Sequence, residues 1–305
     1  MNENLAKPIR RPEEQEIMIR IRVLTHDDIP LAMKLKDQAG WNQTEADWRR
    51  FLDMEPDGCF AAEWDGQAVG TTVTCVLGSV AWIAMVLVDP DWRGRGIGKA
   101  LMSHALSFLD AQGVPSVRLD ATALGKPLYE KLGFVVEYEL ARYEGVPLAP
   151  SPCPLPPEGE GTRRVVEKAS AQDWPHLFQL DREITRADRS KFLTLLFSER
   201  REDVRMVRSG TDVVGFLAGR PGARAWQIGP CLATHAAGAM LLADAAHRHA
   251  SGKVFIDIPV HNEAAVNTAR TLGLNVQRHL VRMCRGQPVT ERTHHIWASS
   301  GPELG

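Results

Sequence analysis

The sequence predicts an α/β protein built in two copies: two mixed-sheet units in tandem, joined by a proline-rich linker. Three observations carry this. Segment 83–109 reads as strand, glycine-rich turn and helix. Its apolar run (Ile83, Val86, Leu87, Val88) stops at Asp89-Pro90, where proline cannot extend a ladder. After Arg93-Gly94-Arg95-Gly96-Ile97-Gly98, the residues Ala100, Leu101, Ala105, Leu106, Phe108 and Leu109 share one helical face. Strand-like and helix-like stretches alternate through both halves. Landmarks of the first half also recur about 144 residues later: Ala81-Trp82 as Ala225-Trp226, Val69-Gly70 as Val214-Gly215, and Lys131-Leu132-Gly133-Phe134 as Thr271-Leu272-Gly273-Leu274.

Taken in order, residues 1–17 are polar, of mixed charge, and read as a flexible tail. Residues 18–24 alternate apolar and basic side chains, the pattern of an amphipathic strand. Thr25 with Asp28 three residues on offers a near capping box for a helix over 29–38, which closes at Gly40. A second helix begins within 41–48, with Asn42 or Thr44 available as its N-cap. Residues 60–64 and 68–76 flank Asp65-Gly66-Gln67, and Asp-Gly is a strong hairpin signal. Residues 79–88 give the next strand. Beyond the glycine-rich turn and its helix come a strand over 116–122, a helix holding Tyr129, and a strand after Gly133. The first unit therefore spans 18–145. Residues 146–162 are the Pro/Gly-rich linker. A second unit spans 163–288, opening on a strand at Val165-Val166-Glu167, and residues 289–305 read as a C-terminal tail.

Composition narrows the function. A chain of 305 residues is long enough for two cores. A formal net charge of −2 argues against a general nucleic-acid binder, which would be markedly basic. No apolar run reaches membrane-spanning length, and the N-terminus lacks the apolar core of a secretory signal. The five cysteines (Cys59, Cys75, Cys153, Cys231, Cys284) are scattered without a C-x-x-C. That fits a cytoplasmic setting and argues against a disulfide framework or a zinc site. The ten histidines show no H-E-x-x-H pair, so no metal is expected.

The chemistry concentrates after Val88. Glycines let the backbone tighten and bring its N–H groups close to an anion, and the positive end of the following helix points the same way. The expected ligand is a phosphate or pyrophosphate. The P-loop form is excluded because Gly98-Lys99-Ala100 lacks the hydroxyl that would hold magnesium. The dinucleotide fingerprint is excluded because the glycines alternate. The arrangement R-x-x-G-x-G, set by Arg93, Gly96 and Gly98 after Val86-Leu87-Val88-Asp89-Pro90, resembles the acyl-CoA-binding motif of the GCN5-related N-acetyltransferases. A second block, Leu128-Tyr129-Glu130-Lys131-Leu132-Gly133-Phe134, resembles the last helix and following strand of that family, at the right distance. The resemblance covers about residues 19–145.

The resemblance implies two tandem acyl-CoA N-acyltransferase folds with acetyl-CoA as co-substrate, and a small-molecule amine attacking the thioester directly. It places the coenzyme on the backbone of Leu87 and Val88 and in the cradle Arg93, Gly94, Arg95, Gly96, Ile97, Gly98 and Lys99. It makes Tyr129 the acid that protonates the departing thiolate; the alternative is a helix tyrosine that only packs its ring. Many family members carry a glutamate on the strand before the turn, but residues 82–88 hold no carboxylate, so the base is unassigned. Trp41 and Asn42 fall where such enzymes line the acceptor pocket, the alternative being a core tryptophan and a helix cap. Asp181 or Asp188 would favour a cationic amine if they faced the cleft; a solvated helix face is the plainer reading. In the second unit the counterpart of the turn, residues 229–239, lacks the arginine–glycine cluster, and the helix at 262–270 lacks a tyrosine. That unit is expected to be degenerate and to shape the acceptor site. The competing reading of the whole chain is a CoA-binding regulatory or structural protein without turnover.

Overall fold

A computed structural model of the chain describes residues 19–148, 164–234 and 237–305. The tail 1–17 and most of the linker 146–162 lie outside the described residues. The first half runs β1 (Ile19–Val23), α1 (Ile29–Gln38), α2 (Glu45–Met54), β2 (Cys59–Trp64), β3 (Gln67–Leu77), β4 (Val80–Val88), α3 (Ile97–Ala111), β5 (Ser116–Ala121), α4 (Lys126–Lys131) and β6 (Val135–Gly145). The second runs β7 (Val166–Lys168), α5 (Trp174–Thr185), α6 (Ser190–Glu199), β8 (Arg205–Ser209), β9 (Asp212–Arg220), β10 (Trp226–Ala233), α7 (Ala237–Arg248), β11 (Val254–Pro259), α8 (Glu263–Thr271), β12 (Asn275–Gly286) and β13 (Ile296–Ala298). Thr25 and Asp28 form their reciprocal box ahead of α1. At α2 the cap is Thr44, whose N–H and hydroxyl donate to Asp47 at 2.6 and 2.9 Å.

The strands form one sheet in the order β1-β2-β3-β4-β5-β12-β6-β11-β10-β9-β8-β7, with β13 on β10. The two halves exchange their last long strands. β12 pairs with β5, β6 pairs with β11, and the two lie antiparallel against each other at the centre. Segments 18–145 and 163–288 are thus stretches of sequence whose sheets close only on each other. A pair of buried ion pairs marks the exchange: Arg282 of β12 holds Asp120 of β5 at 2.8 and 2.9 Å, and Arg142 of β6 holds Asp257 of β11 at 2.8 and 2.7 Å.

These pairs also fix which residues correspond. Trp82 lies opposite Arg118, two residues before Asp120, and Gln227 lies opposite Phe255, two before Asp257. Gln227 is therefore the counterpart of Trp82, and the match of Trp82 to Trp226 is one residue out. A one-residue slip moves a side chain to the other face of a sheet. Trp82 sits beneath the Arg282 guanidinium, 4.7 Å from the ring centre, whereas Trp226 stacks on His249 on the opposite side at 4.1 Å.

One face of the sheet carries a core shared by both halves, with Trp48 and Phe51 of α2 in the same cluster as Phe192 and Phe197 of α6. The other face carries two separate cores, one under α3 and one under α7 and α8. Residues 289–305, a tail by sequence, are built into the fold. β13 pairs with β10, Glu291 binds Arg118 and Tyr138, and residues 299–305 pack between the halves, where Arg189 donates to the Ser300 hydroxyl at 2.9 Å and Arg220 to the Ser300 carbonyl at 2.6 Å.

Candidate active site

A bulge opens the site. β4 pairs in parallel with β5 only where Val80–Trp82 face Ser116–Arg118; beyond that the strands diverge. On the other side, Thr71 pairs with Leu87 and Val73 with Ala84, so Met85 and Val86 together face Thr72. An extra residue bends a strand and increases its twist. Met85 takes a left-handed φ of +51°, and its carbonyl is pinned by the Thr71 hydroxyl at 2.9 Å. The gap leads into a cleft of about 990 Å³.

At one end lies the glycine-rich turn. Asp89 anchors it, accepting from Lys34 Nζ at 2.8 Å and from the Asp91 N–H at 3.2 Å, and the lysine holds the Asp89 carboxyl below its ordinary range. α3 starts from Gly96 at φ +83°, with Gly94 at φ +78°. A Cβ on either would meet no atom within 4 Å, so the space above them is open and the glycines are required by φ alone. The first helical bond runs from the Ala100 N–H to the Gly96 carbonyl at 2.9 Å. The N–H groups of residues 97–99 thus have no acceptor within the helix and form its positive end, where an anion would be favoured. Leu87, Val88, Arg93, Gly94, Gly96, Ile97, Gly98 and Lys99 all line the cleft. The Arg95 side chain does not: its guanidinium lies 5.1 Å over Trp64 and 4.8 Å over Trp92, because flanking aromatics attract it outward.

Tyr129 reaches the cleft from α4. Its ring fits against Gly125, where a Cβ would come within 2.8 Å, and meets Phe134 edge-on at 6.1 Å. Burial pushes the phenol up to about 12, so it is protonated at neutral pH.

The far end of the cleft is lined by Gln38 at the end of α1, by Trp41 and Gln43 beyond it, by Arg278 and Leu280 of β12, and by Glu303. Trp41 lines the cleft, whereas Asn42 does not. Its side-chain oxygen accepts from the Arg224 and Ala225 N–H groups at 2.9 and 3.0 Å, and its amide donates to the Ala225 carbonyl at 3.0 Å. This buried amide makes three of its four possible hydrogen bonds to the backbone of the second half, so it clamps the two halves together. Asp181 is buried against Arg189, and Asp188 is bound by Arg182 at 2.8 Å; neither lines the cleft. Sequence reasoning missed Asp120 and Glu303. Asp120 sits two residues beyond the last β4–β5 pair, beside the bulge; burial lifts its carboxyl despite Arg282. A carboxylate alternating with apolar residues along 117–121 was a readable signal. Glu303, held by Arg220 and by Gln43 Nε2 at 3.1 Å, had none.

The second half repeats the divergence without the cleft. β10 and β11 pair through Trp226–Ile228 and Val254–Ile256, then part at Gly229-Pro230. β13 fills that gap: Cys231 pairs with Ala298 and Leu232 with Ile296, while the Ser299 N–H donates to the Asp257 carbonyl at 2.8 Å. The Asn262 amide holds the Ile296 carbonyl at 2.9 Å. Trp297 covers the start of α7 so closely that a Cβ on Gly238 would lie 2.0 Å from its ring. Among the described residues, no group of three or more His, Cys, Asp or Glu is placed to hold a metal, and no helix is long and apolar enough to cross a membrane.

Comparison with known proteins agrees with this architecture. Residues 29–134 match the family model for the acetyltransferase (GNAT) family, and residues 177–298 match that for an acetyltransferase (GNAT) domain. An acetyltransferase of Sodalis glossinidius is 35% identical over 130 residues, which cover 40% of this chain and 88% of that protein. Among solved structures, a Pyrococcus horikoshii protein described as an acetyltransferase candidate aligns with a TM-score of 0.75 at 23% identity, over 97% of this chain and 100% of the other. A tandem GNAT protein from the clavulanic acid biosynthesis pathway aligns at 0.61 with 14% identity, over 89% and 99%. Both structures support the fold. The chain belongs to the GCN5-related N-acetyltransferase (GNAT) family and is an acyltransferase in which two such units stand in tandem.

Proposed function

We propose that the chain transfers an acetyl group from acetyl-CoA to the amine of a small molecule, with the chemistry in the first half and the second half completing the acceptor side. One observation carries this reading: the splayed backbone of β4, the amides at the start of α3 and the Tyr129 phenol all open into the same cleft. The fit to acetyl-CoA is physical. The open space over Gly94 and Gly96 accommodates a diphosphate against backbone N–H groups. The unpaired edge of β4 beyond Trp82 can bond an extended pantetheine arm as an added strand does. Backbone N–H groups at the bulge are then positioned to polarise the thioester carbonyl.

In this reading the attacking amine must first lose a proton, since an alkylammonium has a pKa of about 10. Asp120, beside the bulge, is the proposed acceptor of that proton; its burial makes it a stronger base than an exposed carboxylate. As the carbon–sulfur bond breaks, Tyr129 donates its proton to the thiolate. The assignments of domain boundaries, cradle and acid are tested together by titrating acetyl-CoA into the intact chain and following thiol release with a panel of amines. Nanomolar to micromolar binding that falls at least 10-fold in Arg93→Glu supports the reading. Indifference of the intact chain to acetyl-CoA overturns it.

A further inference from the structure

Arg278, partly buried, stands apart from the buried arginines of the central strands. Residues 278, 280 and 282 of β12 alternate with Val281, which packs on the α3 side, so they face the side that carries Trp82, α1 and α2. On that face Arg282 is matched by Asp120. Arg142, directly opposite Arg278 in the β6–β12 ladder, is matched by Asp257. Arg278 has no such partner: it forms no hydrogen bond or ion pair with any described residue, and its buried Nε is unsatisfied. It lines the cleft together with Leu280, Trp41, Gln43 and Glu303. Burial and the neighbouring Arg142 draw its pKa down to about 10, with Asp257 pulling the other way, so it remains charged at neutral pH. An uncompensated, largely buried cation is costly unless an anion arrives to meet it.

We infer that Arg278 is the anchor for a carboxylate carried by the acceptor, so that the acceptor is an amine bearing a carboxyl group, of the amino-acid type. This rests on the transferase reading above. The planar fork of one guanidinium matches one carboxylate with two parallel bonds. The coenzyme's phosphates are excluded as its partner because the glycine-rich turn and Tyr129 lie toward the α3–α4 side of the sheet, whereas Arg278 projects from the other. The strand exchange explains why the second half is indispensable here: it delivers this arginine, on β12, into the first half's cleft.

The test uses the intact chain with α-amino acids, β-alanine and γ-aminobutyrate, each beside its carboxamide. Acetyl-CoA affinity is measured first by calorimetry; thiol release and the Tm shift of CoA-loaded protein are then read for every compound. The expected result is a preference of about 10- to 100-fold in kcat/KM for acid over amide, carried by KM. Arg278→Met abolishes that preference with the acetyl-CoA KM unchanged, and Arg278→Lys retains part of it. Amides serving as well as acids, a preference that survives in Arg278→Met, or no carboxylate compound being turned over or shifting Tm in a chain that binds acetyl-CoA, overturns the anchor and leaves the transferase reading standing. The acid-over-amide comparison in the unsubstituted chain decides the matter even where Arg278→Met does not fold. Failure to bind acetyl-CoA overturns both readings.

Discussion

The same break in the sheet occurs twice and is used in opposite ways. In the first half, β4 leaves β5 at a bulge and the gap stays open beneath the start of α3. In the second, β10 leaves β11 at the corresponding place, and β13 lies in the gap as an added strand with Trp297 over the start of α7. A splayed sheet edge invites an extended chain. One half leaves that position free for a ligand; the other answers it with its own backbone. The loss of the arginine–glycine cluster in the second half is thus accompanied by physical occupation of the space, and the segment that occupies it continues into the first half's cleft, which Glu303 lines.

The comparison can be broken at several points, and the largest expected effect is on folding. Residues 1–148 produced alone leave β5 without β12 and β6 without either neighbour, so they should fail to give soluble, monomeric protein by size exclusion. Co-production with the remainder should restore it. Recovery of a stable, active first half by itself would show that strand exchange is dispensable. Next is the acid. Tyr129→Phe should lower kcat by roughly 100-fold with little change in acetyl-CoA KM, as expected for loss of a positioned proton donor. Because the phenol is pushed up to about 12, deprotonation of Tyr129 should impose no decline in rate as pH rises to 10. A wild-type alkaline limb below that pH which disappears in Tyr129→Phe would contradict its position.

Two glycines sharpen the contrast directly. Gly98→Ala adds a methyl that makes only ordinary contacts, 3.8 Å from Leu128 and Val88. It should leave Tm within a few degrees while weakening acetyl-CoA by roughly 10-fold, because the backbone approach is obstructed. Gly238→Ala, likewise the second residue of its helix, drives a methyl into Trp297. It should lower Tm by several degrees through overpacking, with acetyl-CoA affinity of the folded protein unchanged. The smallest effect is acid sensitivity of the bond between the halves. Asp47, beside Arg220 and Arg50, and Glu291, beside Arg118 and Arg282, are each held down to about 2. A carboxyl depressed in the folded state contributes stability above its unfolded pKa and loses it as pH falls through the folded value. Thermal stability should therefore fall between about pH 4.5 and 2, and Glu291→Gln should flatten that decline even as it lowers Tm at neutral pH. Scanning calorimetry across this range reads both.

Much of the fold was legible because local chemistry decided it. Asp65-Gly66 dictated a hairpin, Asp89-Pro90 ended a strand, and positive φ demanded glycine at 94 and 96. The strand exchange was not legible, since two copies of one pattern offer each closing strand two equivalent partners and sequence does not say which it takes. Asn42 was misassigned because a helix-proximal amide looks the same whether it bonds a ligand or a distant backbone. The Trp82 match slipped by one for want of the buried Asp–Arg pairs that fix register. Residues 289–305 carry too little periodicity to announce a three-residue strand, and Arg278 became conspicuous only when every acid around it was already paired.

Strand exchange also sets a timetable. β5 leaves the ribosome early, yet its neighbour in the finished sheet spans Asn275–Gly286, so the first half must wait for nearly the whole polypeptide before its β-structure can close. Pairings so distant along the chain form slowly. Completion of the first half during synthesis is thereby tied to arrival of the second, and a message truncated anywhere before residue 286 should yield an unfinished protein rather than a smaller enzyme.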